Sequence, residues 1–237
     1  MLNSKFWVNC FKIKKEEIKI RRAKIEDIPQ ILEVEKLTWG EEKAATKEMF
    51  QSRIETFPEG TLVAIVEGKI VGVIASQIID FKEEEIKNWY EMTDNGFIKR
   101  THNPEGDILY GVDLSVHPDY QNKGVGKKLM EATGRLIIDL NLKRGMLGGR
   151  IPNYYKFADK LNVEAYINLV KTSNPAIDIP PEPELLFWKK LGLKINKPIP
   201  NYFKDLESAN YGVLLIWENP FYNKWYRWIM AKIFRAP

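Results

Sequence analysis

A chain of 237 residues, 44% of them hydrophobic and with a formal charge of +4, is sized for one domain with a substantial core. Positive and negative residues are interspersed with no long basic run, so nucleic acid is not an expected partner. A single cysteine, Cys10, excludes an internal disulfide, no apolar run is long enough to span a bilayer, and the N-terminus carries no signal-peptide core; a cytoplasmic protein is the expectation.

Residues 1–16 read as a short extension of unassigned role. Ile18 to Arg21 alternates as a first strand does, and Asp27 and Pro29 open a helix whose apolar face runs through Ile28, Ile31, Leu32 and Val34 to Leu37. A second helix is predicted from Ala44 to Thr56, closed by Pro58. Two apolar runs flank Glu67-Gly68, a hairpin signal. An acidic and aromatic stretch follows from Phe81 to Asp107, predicted to be partly helical. Val112, Leu114 and Val116 then alternate as a strand, and Val125, Leu129, Ala132, Leu136 and Leu140 recur at helical spacing. Gly145 to Pro152 reads as a fifth strand, Leu185 to Leu193 as a late helix and Tyr211 to Trp217 as the last strand. The tail from Phe221 to Pro237 mixes Trp225, Trp228, Ile229 and Phe234 with Lys224, Arg227, Lys232 and Arg235, without one clean apolar stripe.

The junction between the fourth strand and its helix is the most informative segment. A glycine-bearing loop at a helix N-terminus turns backbone N–H groups towards one point, and with the helix dipole they make a phosphate site. Gly124 and Gly126 matter there because a side chain would hold the ligand off the backbone. The chain has no G-x-x-x-x-G-K-[ST] run, and Gly124-Val-Gly126 lacks the third glycine of a dinucleotide fingerprint. Leu114, Val116, Pro118, Tyr120, Gln121, Gly124 and Gly126 stand in register with the pattern L-x-V, x-P-x-aromatic-(Q/R)-x-x-G-x-(G/A). On these residues the chain resembles the GNAT superfamily of N-acetyltransferases, over about residues 17–151 apart from one insertion, and again near its C-terminus.

The resemblance implies an α/β (α+β) fold: a central mixed, mostly antiparallel twisted sheet flanked by helices, with splayed fourth and fifth strands. It divides the chain into an extension (1–16), an acetyltransferase domain (17–219) with insertions at about 81–107 and 154–183, and an aromatic, basic tail (220–237). Residues 81–107 are either a surface decoration or a lid over the acceptor site. The implied chemistry is direct transfer of an acetyl group from acetyl-CoA, as cosubstrate and with no metal, to a primary amine of a small molecule or peptide. Gln121, Asn122, Lys123, Gly124, Val125, Gly126 and Lys127 would hold the pyrophosphate. Backbone groups of Leu114, Ser115 and Val116 would polarise the thioester carbonyl, and Asn153 stands where relatives carry an Asn after the fifth strand.

Asp113, a carboxylate in an apolar strand, is the first candidate for managing the amine; the competing reading is a strand-end charge paired with a nearby cation. The tyrosine that relatives carry on the late helix is replaced by Trp188, whose indole cannot titrate. Tyr155 or Tyr154 is the substitute proton donor, with Tyr110 a third option, or the thiolate leaves unprotonated. Gly148 to Tyr154 and the stretch from Tyr202 to Pro220 further resemble the acetyltransferase module that precedes nitrilase-like carbon–nitrogen hydrolases in fused proteins. A separately encoded hydrolase is therefore one expected partner and a second copy of this chain another, while a membrane is not expected. The alternative to an enzyme is a module that holds acyl-CoA or a protein without turnover.

Overall fold

The computed structural model describes residues 17–81, 85–172 and 182–235. Its strands are β1 (Lys19–Arg22), β2 (Thr61–Val66), β3 (Lys69–Ile79), β4 (Ile108–Val116), β5 (Arg144–Gly149), β6 (Lys194–Ile199) and β7 (Gly212–Glu218). They form one sheet in the order β1-β2-β3-β4-β5-β7-β6. Every neighbouring pair is antiparallel except β4 and β5. The β2–β3 hairpin turns through Glu67 and Gly68, both at positive φ, as a turn that matches strand twist requires.

Two features of β4 position everything that follows. The first is a bulge: Asp113 pairs with Ala75 and Gly111 with Ser76, so Val112 has no partner in the ladder. An unbroken pleat would put Tyr110 and Asp113 on opposite faces; the extra residue puts Tyr110, Asp113 and Ser115 on one. The second is the end of its pairing with β5. The parallel ladder stops at Gly111 and Leu147, while β4 stays with β3 as far as Val116 and β5 stays with β7 as far as Gly149. The two strands therefore splay, as expected, and a gap opens between Val112–Val116 and Gly148–Gly149.

Helices cover both faces. Val125 and Leu129 of α4 (Val125–Asp139) pack on Leu62, Ala64, Val66, Val71 and Ile74. On the opposite face Ile28, Ile31 and Val34 of α1 (Ile28–Trp39) and Phe50 and Ile54 of α2 (Lys47–Thr56) pack on Val63, Ile70 and Val73. The second helix starts three residues later than its sequence suggests, because Thr46 caps it: its Oγ1 accepts from Met49 N–H at 3.3 Å.

The first insertion has one short helix, α3 (Trp89–Met92), and is built into the domain. Met92 and Ile98 are buried, Gln77 Nε2 donates to Met92 C=O at 2.6 Å, and Trp89 Nε1 donates to the bulge carbonyl of Val112 at 2.9 Å. In the second insertion α5 (Val163–Thr172) buries Tyr166 and Ile167 against Tyr154, Leu185 and Trp188, the last two on α6 (Pro183–Lys190). Strand β6 has no counterpart among the predicted elements. Pro198 breaks its pattern, and a proline is tolerated there because β6 is the sheet edge, with an irregular register between Ile195 and Pro198. Finally α7 (Arg227–Ile233) folds back on α4: Ala231 is buried, and a β-carbon on Gly134 would lie 2.5 Å from the Phe234 ring.

Candidate active site

The loop into α4 has the backbone that anion binding needs. Asn122 and Gly124 have positive φ (58° and 89°), and Gly124 is the residue before the first helical turn. The first bond of that turn runs from Lys128 N–H to Gly124 C=O at 3.0 Å; the amides of Val125 and Gly126 have no carbonyl one turn back to bond. Gln121, Asn122 and Lys123 are exposed around them. Gln121 Nε2 donates to Val116 C=O at 3.2 Å, and Lys123 Nζ lies 5.0 Å from the Tyr120 ring. A β-carbon on Gly126 would sit 3.2 Å from the ring of Phe187, so α6 closes over the start of α4.

The gap's near wall is β4. His117 N–H bonds Val71 C=O at 2.9 Å. By the two-residue alternation of an antiparallel ladder, Ser115 turns its amide to β3, and Leu114 and Val116 turn theirs to the gap. The far wall is Gly148 and Gly149 of β5. Trp188 leans on it: a β-carbon on Gly149 would lie 3.3 Å from Trp188 Nε1. The indole is buried, and among the described residues its N–H finds no acceptor. A buried donor left this way costs about 1–3 kcal/mol. Beyond β5, Asn153 donates its N–H to Glu182 at 3.2 Å and its Oδ1 accepts from Lys156 at 2.8 Å. Tyr155 is 52% exposed with Lys156 Nζ over its ring. Tyr154 is buried and donates to Leu161 C=O at 3.0 Å, and Tyr110 is buried against the Tyr202 hydroxyl at 2.6 Å.

The bulge face of β4 carries an acidic centre. Asp113 Oδ2 accepts from Arg53 Nη1 at 2.9 Å, with the two side chains 7% and 0% exposed. Arg53 also donates Nε to Gly96 C=O at 2.8 Å, tying α2 to the insertion. Beside them Glu35 of α1 is buried: it accepts from Ala45 N–H at 3.0 Å and from the Ser115 hydroxyl at 2.6 Å, which in turn accepts from Trp39 Nε1 at 2.8 Å. Burial first, and then the charge of Asp113, push the Glu35 carboxyl up to about 8. Sequence reasoning missed both Glu35 and Arg53. Each sits at a helical position among core residues, Glu35 beside Ile31 and Val34 and Arg53 between Phe50 and Ile54; a charge on a buried stripe was the available signal.

Four aromatic rings gather at the outer end of this face. Phe203 of the β6–β7 connection meets Trp39 (6.3 Å), Trp89 (5.6 Å) and Tyr90 (5.8 Å, stacked). Arg150 lies 5.4 Å from the Trp39 ring and pairs with Asp205 (2.9 Å), Glu184 (3.3 Å) and Glu207 (2.8 Å), and Lys43 reaches Asp205 at 3.3 Å. Burial works against ionising Asp205, yet hydrogen bonds from Arg150 and Ser208 hold it down to about 2. Glu83 and Glu84 of the acidic stretch lie outside the described residues.

Known proteins resemble this chain in sequence and fold. The profile described as "Acetyltransferase (GNAT) family" matches residues 26–154. An uncharacterized N-acetyltransferase of Bacillus subtilis, YkwB, is 39% identical over 191 residues, 80% of this chain and 79% of that protein. A probable hydrolase of the same bacterium, YhcX, is 36% identical over 202 residues, 84% of this chain but 38% of its own length; the hydrolase-linked likeness is therefore real, and the chain spans little more than a third of that relative. Among solved structures, the loading GNATL domain of CurA from Lyngbya majuscula superposes with a TM-score of 0.70 at 25% identity, over 86% of this chain and 98% of that one.

Proposed function

Because this chain belongs to the GNAT acetyltransferase family, and is an acyltransferase, we propose that it moves an acetyl group from acetyl-CoA to a primary amine by direct attack. The observation that carries this reading is the gap between β4 and β5, faced by the Leu114 and Val116 amides and lying beside the N-terminus of α4. The Val125 and Gly126 amides hold the pyrophosphate, with Gln121, Asn122, Lys123 and Lys127 around it. Asn153 borders the far end of the slot. The Leu114 amide donates to the thioester oxygen as its charge grows, with Ser115 holding Glu35 and Val116 closing the wall. Asp113, ion-paired with Arg53, sets the field in which Glu35 accepts a proton from the incoming ammonium. The aromatic and carboxylate groups between Trp39 and Asp205 suit a cationic acceptor on a small molecule or peptide.

Thiol release from acetyl-CoA across a panel of amines tests the reaction, and calorimetry with CoA tests the site. Gly126→Leu puts a branched side chain between the loop amides and Phe187, and is expected to weaken CoA binding about 100-fold, with circular dichroism checking that the variant, strained against Phe187, is still folded. Undiminished binding would remove the loop from the site.

For the departing thiolate, the buried position of Trp188 and the exposure of Tyr155 favour a hydrogen bond from the indole over direct contact with the phenol. An indole N–H stabilises the anion without giving up its proton. Trp188→Phe is expected to lower kcat about tenfold with little change in the KM for acetyl-CoA; a change in KM alone would assign Trp188 to packing. A module that binds acyl-CoA without turnover gains from the absence of a titrating acid on α6. It predicts CoA binding with no amine-dependent thiol release.

A further inference from the structure

The outward side of α7 is apolar. Trp228, Ile229, Lys232 and Ile233 fall on one side of that helix at spacings of one, four and five, and all four are exposed, Trp228 by 54% and Ile233 by 60%. Trp225, one turn earlier, is 79% exposed. The inward side is already used by Ala231 on α4, with Phe234 against Gly134 and Trp217. So the stripe that is not evident over residues 221–237 as a whole is present within α7, and it points away from the core. Such a face on a soluble domain marks an interaction surface.

Its chemistry selects the occupant. From Asn219 to Pro237 the sequence contains four cations, Lys224, Arg227, Lys232 and Arg235, and no Asp or Glu. Lys224, Lys232 and Arg235 are exposed, and Lys232 Nζ lies 5.3 Å from the Trp228 ring. On α4, Asp139 is an exposed carboxylate near the tail, where Asn141 and Asn223 are joined by hydrogen bonds. A second copy meeting this face about a twofold axis would set these cations against their own counterparts. An anionic lipid surface meets both needs at once: the headgroup boundary takes indole rings and short aliphatic chains, and the phosphates take Lys and Arg. The helix has seven residues, and no described helix is long and apolar enough to cross a membrane, so α7 would lie on the surface.

We propose that the Trp225–Ile233 face is a peripheral docking site for anionic membrane lipid. The opposite side of α7 and Phe234 pack on the C-terminal half of α4, away from the Gly124 loop, so docking leaves the gap between β4 and β5 open.

Flotation of the full chain with phosphatidylcholine vesicles, with and without phosphatidylglycerol, tests this. The expected result is binding only to the phosphatidylglycerol vesicles, a blue shift of tryptophan emission, and release at high salt. Trp225→Ser with Trp228→Ser is expected to weaken binding about tenfold, and Lys232→Glu about as much, with melting temperature and CoA affinity unchanged. Absence of flotation would overturn the proposal, as would equal binding by the variants. A concentration-dependent dimer dissolved by the two Trp substitutions, or binding of a protein partner to this face in place of lipid, would overturn it too.

Discussion

Replacing Arg53 with methionine is expected to destabilise the fold by about 3–5 kcal/mol, read as a lower denaturant midpoint, because it strands the buried carboxylate of Asp113 next to Glu35. The loss has two sources. Asp113 keeps its desolvation cost without its counter-charge, and the bond from Arg53 Nε to Gly96 C=O, which joins α2 to the first insertion, disappears. The insertion should then open to proteolysis around Asp94 to Ile98. Arg53→Met combined with Asp113→Leu removes both charges and is expected to recover the electrostatic part of the loss, since a buried pair replaced by apolar groups is close to neutral, while the Gly96 carbonyl stays without its donor. Recovered stability with amine-dependent thiol release still absent would give Asp113 a role in the reaction. Recovered stability and recovered activity would make the pair purely architectural. An Arg53→Met variant as stable as wild type would refute the burial argument itself.

Glu35→Gln is expected to cut kcat/KM for the amine about 10²- to 10⁴-fold, the usual range for a lost general base, while acetyl-CoA binding stays intact. In the wild type the rate should rise with pH through about 8 as Glu35 ionises, and the variant should lack that limb. The same group controls stability. In the folded chain Glu35 keeps its proton up to about 8, whereas the unfolded chain releases it near the ordinary value of 4.5. Between those values the folded state holds more protons, so this contribution is full below 4.5 and is lost as pH rises through about 8. Glu35→Gln should flatten the fall in melting temperature across that window. A residual slope is expected from Glu182, which burial raises to about 7 and which acts with the same sign. Equal slopes in variant and wild type would show that Glu35 does not titrate in this range.

The residues legible in the sequence lie close together along it. Gln121 to Gly126 could be read because a glycine-bearing loop and the helix it opens are both local, and their amides converge wherever the rest of the chain goes. The hairpin at Glu67-Gly68 was legible for the same reason. Strand β6 was not: Pro198 erases its local signal, and only its place at the sheet edge makes a proline acceptable. The first insertion left two readings open, and its contacts with Val112, Gln77 and Tyr202 join it to the domain.

What the sequence determined alone is the family and the glycine-bearing loop that opens α4, since both rest on residue types within about a dozen positions of one another. Tertiary structure decided the acidic centre. Glu35, Arg53, Asp113 and Ser115 lie up to 80 residues apart and become one group because the Val112 bulge turns Asp113 and Ser115 to the side that α1 and α2 cover. Buried carboxylates acquire their chemistry from desolvation and neighbouring charge, and both exist only after the chain has packed.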